Sequence, residues 1–158
     1  MKKILLLILA SLLFVTLVTG CSSKKEETPV AQTEKTETPA VEGPDTAENA
    51  ADGIYNKEGE ADDHGWTPFV ELEIKDKKII SVNFDYENEG KMKTEDADYI
   101  ATMEPVAGTS PDIFIPEYEN QLMEKQDMSA VDTVTGATTS LNDFTTLVKQ
   151  VLSEAEGK

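Results

Sequence analysis

The strongest constraint on what this chain can fold into lies between positions 70 and 86. Val70, Leu72 and Ile74 alternate with Glu71, Glu73 and Lys75, and Ile80, Val82, Phe84 and Tyr86 alternate with Ser81, Asn83 and Asp85. Successive side chains of a strand point to opposite faces, so a period of two marks a strand buried on one side only. The polar stretch Asp76-Lys77-Lys78 between the two runs predicts an antiparallel hairpin. A sheet built on this hairpin has one wet face and needs an apolar cover for the other. Asp52-Gly53-Ile54-Tyr55 is expected to start an earlier strand, followed by a loop through Asp62-Asp63-His64-Gly65-Trp66. Tyr55 and Tyr86 are read as core or sheet-face residues.

The cover comes from the second half, where the period changes. Glu95–Met103 and Glu117–Lys125 are predicted to be short helices, the second preceded by Pro116 in a position that helix starts tolerate. Leu141, Phe144, Leu147, Val148, Val151 and Leu152 recur at helical spacing and predict a final amphipathic helix. Ser140 is its expected N-cap, with Asp143 three residues on in a weak version of the capping box. The expected fold class is therefore α+β: a small antiparallel sheet packed with helices, formed by residues 51–158 as one domain.

Upstream of that domain the composition is of a different kind. Met1-Lys2-Lys3 is basic, Ile4 to Val18 is apolar, and Thr19-Gly20 precede the only cysteine of the chain, Cys21. A basic start, an apolar run and small residues at a cleavage point mark a secretory signal over residues 1–20. The run is shorter than the roughly 20 residues that span a bilayer. Val18-Thr19-Gly20-Cys21 resembles a bacterial lipobox, in which the cysteine is lipidated and becomes the new N-terminus. A single thiol in an exported chain has no disulfide partner, and lipidation gives it a role. The expected location is the outer face of the cell membrane, held by a palmitate-type lipid on Cys21 rather than by a spanning helix. Leu13 to Gly20 is also an apolar octapeptide ending at the cleavage point, similar to pheromones processed from lipoprotein signals.

Residues 22–50 are rich in Thr, Glu, Ala, Pro and Lys and contain no aromatic side chain. Such a segment cannot bury enough apolar surface to offset the entropy of ordering, so residues 21–50 are read as the lipidated cysteine and a disordered tether. The whole chain carries a formal net charge of −17, which becomes −19 when Lys2 and Lys3 leave with the signal. That balance excludes nucleic acid as a partner, because a phosphate binder needs a basic stripe to displace counterions. One histidine, His64, gives little to build a metal site on, and the carboxylates at Asp62-Asp63 and Glu95-Asp96-Asp98 lack calcium-ligand spacing. No metal is expected. The methionines after Met1 are read as core filler.

The segment that carries chemistry is Asp132-Thr133-Val134-Thr135-Gly136-Ala137-Thr138-Thr139-Ser140, just before the last helix. Hydroxyls, small residues and a helix N-terminus together suit an anion such as phosphate. A capped turn rich in Ser, Thr and Gly has the same composition. The order of the residues separates the two. Asp132…Thr135-Gly136-Ala137-Thr138 resembles the flavinylation motif of FMN-binding domains, found in membrane-bound electron-transfer complexes and in surface lipoproteins. The resemblance extends over most of 51–154 to the flavin-bearing lipoproteins of the pheromone and extracellular electron-transfer type.

That resemblance implies FMN held as a phosphoester on Thr138, placed there from FAD by a separate flavin transferase. Asp132, Thr135, Gly136 and Ala137 match the residues around the acceptor. His64 and Trp66 are the aromatic candidates to line the flavin ring, with a surface turn that packs Trp66 on the core as the alternative. Lys91 and Lys93 could pair with a phosphate or a flavin, but are read as solvated lysines of an acidic domain. The implied role is an electron carrier between a membrane donor and an external acceptor, with no catalytic acid–base residues of its own. Noncovalent binding of FMN or another ligand is the competing expectation.

Overall fold

In the computed structural model the described residues are 41–157. The signal segment, Cys21 and most of the tether lie outside them. Four strands form one antiparallel sheet in the order of the chain: β1 (Gly53–Glu58), β2 (Thr67–Lys75), β3 (Lys78–Asn88) and β4 (Lys91–Met92). Short 3-10 turns at Lys93–Glu95 and Met128–Ala130 accompany three helices, α1 (Ala97–Ala107), α2 (Pro111–Lys125) and α3 (Thr138–Ala155). The fold class is α+β. Among the described residues no helix is long and apolar enough to cross a membrane.

The hairpin sits where the alternation places it. Val70, Leu72 and Ile74 are buried while Glu71, Glu73 and Lys75 are exposed. The connection is tighter than expected: only Asp76 and Lys77 lie between the strands, with φ of 51° and 63°. Two successive left-handed residues form the turn whose twist matches a hairpin. The Asp52 carboxylate accepts the Asp76 N–H at 2.9 Å and ties the turn to the approach of β1.

The phase of β3 differs from the expected alternation at its start. Glu73 pairs with Ser81 and Ile74 with Ile79, so Ile80 is the extra residue of a β-bulge. Ile79 therefore enters the core and Ile80 is exposed, the reverse of its expected place. Phe84 and Tyr86 point inward as the alternation requires. Asp85 is also buried, because the turn after β4 covers it: its carboxylate accepts from the Tyr86 N–H at 2.7 Å and from the Thr94 hydroxyl.

The helices correct four boundaries. Asp96 caps α1 by accepting the N–H groups of Asp98 and Tyr99, at 3.1 and 3.0 Å, so the helix starts at Ala97 and runs on to Ala107. Helix α2 begins at Pro111 rather than Glu117. Pro111 has the first-turn position that proline's fixed φ favours, and Pro116 sits inside the helix with its ring exposed. The buried side chains Phe114, Ile115, Tyr118 and Leu122 give α2 its inward face. Helix α3 starts at Thr138, two residues before the expected cap Ser140, and its N-cap position is Ala137. Asp143 is consequently no cap partner; its carboxylate accepts the Tyr86 hydroxyl at 2.8 Å.

Phe144, Leu147, Val148, Val151 and Leu152 of α3 cover the sheet, with the Phe144 ring 4.8 Å from Phe84. Residues 41–50, assigned by composition to the tether, are part of this packing. Ala47 and Ala50 are buried. Asp45 pairs with Lys149 at 2.9 Å, and its carbonyl accepts the Met128 N–H at 2.8 Å. Alanines need little area to be buried, so a segment without aromatic residues can still dock on a finished surface.

Candidate functional site

The motif loop between Val131 and Thr138 is fastened to one face of α2. Tyr118, Gln121 and Lys125 stand three and four residues apart, so they share that face. The fully buried Tyr118 hydroxyl donates to the Ala137 carbonyl at 2.9 Å and accepts the Val134 N–H at 3.3 Å. Gln121 Oε1 accepts the Asp132 N–H at 2.8 Å. Lys125 bridges to the Asp132 carboxylate at 2.7 Å and also donates to the Ala130 carbonyl. Asp132 is thus an exposed anchor of the loop, its side chain turned to solvent and to Lys125.

Gly136 is required where it stands. Its φ is 86°, and a Cβ built on it would come 2.3 Å from the Ala107 carbonyl oxygen at the end of α1. Ala137 is buried beneath the loop. The next residue, Thr138, opens α3 and is exposed, as is Thr135. Leu141 is the first residue of α3 whose N–H reaches back to the Ala137 carbonyl, at 3.1 Å. The amides of Thr138, Thr139 and Ser140 are the free donors of the helix start.

Beside this helix start lies a cleft of about 390 Å³, within the size range of small-molecule sites, roughly 300–1,000 Å³. Gly136, Ala137, Thr139 and Ser140 form one wall, and Trp66, Tyr86, Tyr99 and Met103 supply apolar surface. Glu60, Asp62, Asp143 and Lys93 bring charge. Trp66 meets Tyr99 edge-on, with centroids 6.1 Å apart. Trp66 therefore lines the cleft while also packing on the core. His64 does not line it; its side chain is exposed in the turn, where its N–H donates to Asp62 Oδ1 and its carbonyl accepts from Asn88.

Lys93, expected in solvent, is 6% exposed. Its ammonium lies 4.2 Å from the Tyr86 ring centroid, 4.7 Å from Tyr99 and 5.4 Å from Trp66, within cation–π range of all three. Burial pulls its pKa below the usual lysine value, against the opposing pull of Asp62, Asp143 and Asp85. Burial pushes Asp62 up, but the Trp66 and His64 N–H groups and Lys93 outweigh it and hold the carboxyl low. Asp143 is raised by burial, which outweighs the Tyr86 hydrogen bond and Lys93. Burial likewise pushes the Tyr86 hydroxyl far up, so it stays a donor. The sequence signal for this cluster is faint: a lysine flanked at a distance by Tyr86 and Tyr99 in an acidic chain.

This site suits a phosphorylated planar aromatic. Ring faces can stack on a flat conjugated system, free amides at a helix start can take phosphate charge, and Gly136 keeps the loop close against α1. Among the described residues, no group of His, Cys, Asp and Glu is placed to hold a metal ion.

The FMN-binding domain family matches residues 64–153. The chain belongs to that family. A "15 kDa lipoprotein" of Treponema pallidum is 37% identical over 97 residues, which cover 61% of this chain and 69% of the relative. A crystal structure of a Clostridium perfringens protein superposes with a TM-score of 0.65 at 38% identity, covering 68% of this chain and 90% of that one.

Proposed function

We propose that this chain is an extracytoplasmic lipoprotein, anchored through a lipid on Cys21, that carries FMN covalently on Thr138. It takes electrons from a membrane donor and passes them to an acceptor outside the cell. The observation that carries the reading is the position of Thr138: exposed at the first turn of α3, between two residues, Ala137 and Thr139, that line the aromatic cleft. A flavin hung from its Oγ1 has a ring-sized space one residue away. The family match supports FMN, and the lipoprotein relative supports the anchor.

Attachment needs a flavin transferase and FAD. The Thr138 oxygen forms a bond to the phosphorus of the FMN half, the P–O–P bridge breaks, AMP leaves, and the hydroxyl proton goes to base or solvent. On this side the chain contributes an accessible hydroxyl, a loop held on α2 by Tyr118 and Gln121, and the small residues Gly136 and Ala137. Once bound, the flavin supplies the redox chemistry; the protein positions it and tunes it.

Intact-mass analysis of protein made alongside a flavin transferase tests the assignment. The wild type is expected to gain the mass of one FMN less one water and to fluoresce after denaturation, and Thr138→Ala to do neither. A Thr138→Ala protein that still carries denaturation-resistant flavin overturns the linkage. Flavin released from the wild type on denaturation selects the noncovalent alternative instead.

A further inference from the structure

The buried lysine of the cleft has a geometry that the attachment chemistry leaves unexplained. A charged ammonium is costly to bury unless it is paired and hydrogen-bonded. Lys93 Nζ faces three rings and has one carboxylate partner, Asp62 Oδ2, at 3.7 Å. That distance exceeds an ordinary hydrogen bond. Asp62 is thus a long, weak partner for so buried a charge. The rings of Trp66, Tyr86 and Tyr99 hold the ammonium in the wall of the cleft. Nearby, Asp62 and Asp143 spread negative charge around it, so Lys93 is the one cation among the residues lining this space.

We propose that Lys93 is the positioning cation of the flavin site. Its ammonium meets the negative charge that an isoalloxazine ring takes on when reduced, and so raises the ring's reduction potential. This rests on the FMN reading above. The charge balance is simple. Two electrons from the donor and one proton from solvent turn a neutral oxidised ring into a ring of charge −1. Without Lys93 that charge would meet no cation among the residues lining the cleft, and three carboxylates, Glu60, Asp62 and Asp143. With it, the reduced ring gains a charge-assisted partner, and such contacts are the stronger kind. The oxidised ring, being neutral, gains much less. The difference between the two states appears as a shift in potential.

The experiment compares flavinylated wild type, Lys93→Met and Lys93→Arg by spectroelectrochemical titration, with loading read by intact mass. Lys93→Met is expected to weaken the hold on reduced relative to oxidised flavin at least tenfold, a drop of about 30 mV for a two-electron couple. Lys93→Arg keeps the charge and is expected to stay within threefold of the wild type. A structural role alone would alter stability in both variants and leave the potential in place. If Lys93→Met does not fold, Lys93→Gln, neutral and polar, takes its place in the comparison. Full loading with an unchanged potential in the neutral variant overturns the proposal. Absence of covalent flavin from the wild type counts against the Thr138 reading instead. In that case titration with free reduced and oxidised FMN decides Lys93 separately, and equal affinity ratios in wild type and neutral variant sink it.

Discussion

At Gly136 two restrictions coincide. The residue has a left-handed φ of 86°, and its missing Cβ leaves the space that the Ala107 carbonyl oxygen takes up. Gly136→Ala is expected to cost about 2–4 kcal/mol, from the left-handed penalty and a clash with backbone that cannot rotate away. Urea unfolding measures it, and a loss under 1 kcal/mol would show that α1 gives way easily. Asp143 allows a prediction with a defined sign. Burial raises its pKa above the ordinary aspartate value, so the folded state holds the proton more tightly than the unfolded chain. The resulting stability is complete below the unfolded value and is lost as pH rises through the folded one. Asp143→Asn keeps an acceptor for the Tyr86 hydroxyl and removes the titration. Relative to wild type, the variant should therefore gain in melting temperature as pH is raised from 3.5 towards 7; a difference that stays constant across that range refutes the assignment. At this scale the sequence is only half legible. The Thr135-Gly136-Ala137-Thr138 order is visible as a string, because consecutive residues make the loop. The Lys93 cage is not visible, because Trp66, Tyr86 and Tyr99 reach it from three separate parts of the chain.

The elements were legible in proportion to how much of their pattern is local. The period of two across 70–86 and the helical spacing of 141–152 each repeat often enough to fix type and inner face. Single-residue events escape such patterns: the bulge at Ile80 shifts the phase of β3 by one residue, and tertiary contact with β2 decides where it falls. Two prolines compete to start α2, and only the packing of Phe114 and Ile115 shows that Pro111 is the start. The hairpin turn offers a clean test at this scale. Lys77 adopts φ 63° with a side chain in solvent, a conformation that glycine reaches without steric cost. Lys77→Gly is expected to stabilise the domain by about 0.5–1 kcal/mol, the relief of left-handed strain exceeding the entropy glycine adds to the unfolded chain. Asp76 is left untouched because its N–H is bonded to Asp52. A lower urea midpoint in the variant contradicts this account of the turn.

On the scale of the whole molecule, residues 41–50 dock on α3 and so do not belong to the tether that composition suggests. What lies between the proposed lipidation site and the packed domain is residues 22–40, which at full extension reach roughly 65 Å. In the proposed reading that is enough for a flavin on Thr138 to meet a membrane donor and an external acceptor in turn, and short enough to keep the carrier concentrated near the membrane. The acidic surface points the same way, since a formal charge of −19 after loss of the signal is repelled by anionic headgroups and favours a domain held off the bilayer. In the proposed reading the lipid supplies retention and the covalent flavin supplies redox capacity, and the two can be separated by one substitution. Cys21→Ala is expected to leave the membrane fraction for the soluble one and to lose metabolic palmitate label, while Thr138 remains flavinylated. Reduction of the variant by a chemical reductant should proceed at the wild-type rate. Its reduction by isolated membranes at equal total protein should fall at least tenfold, because the donor no longer sees a tethered concentration. A variant that stays in the detergent phase removes Cys21 as the anchor, and an unchanged rate with membranes removes the anchor's role in electron delivery.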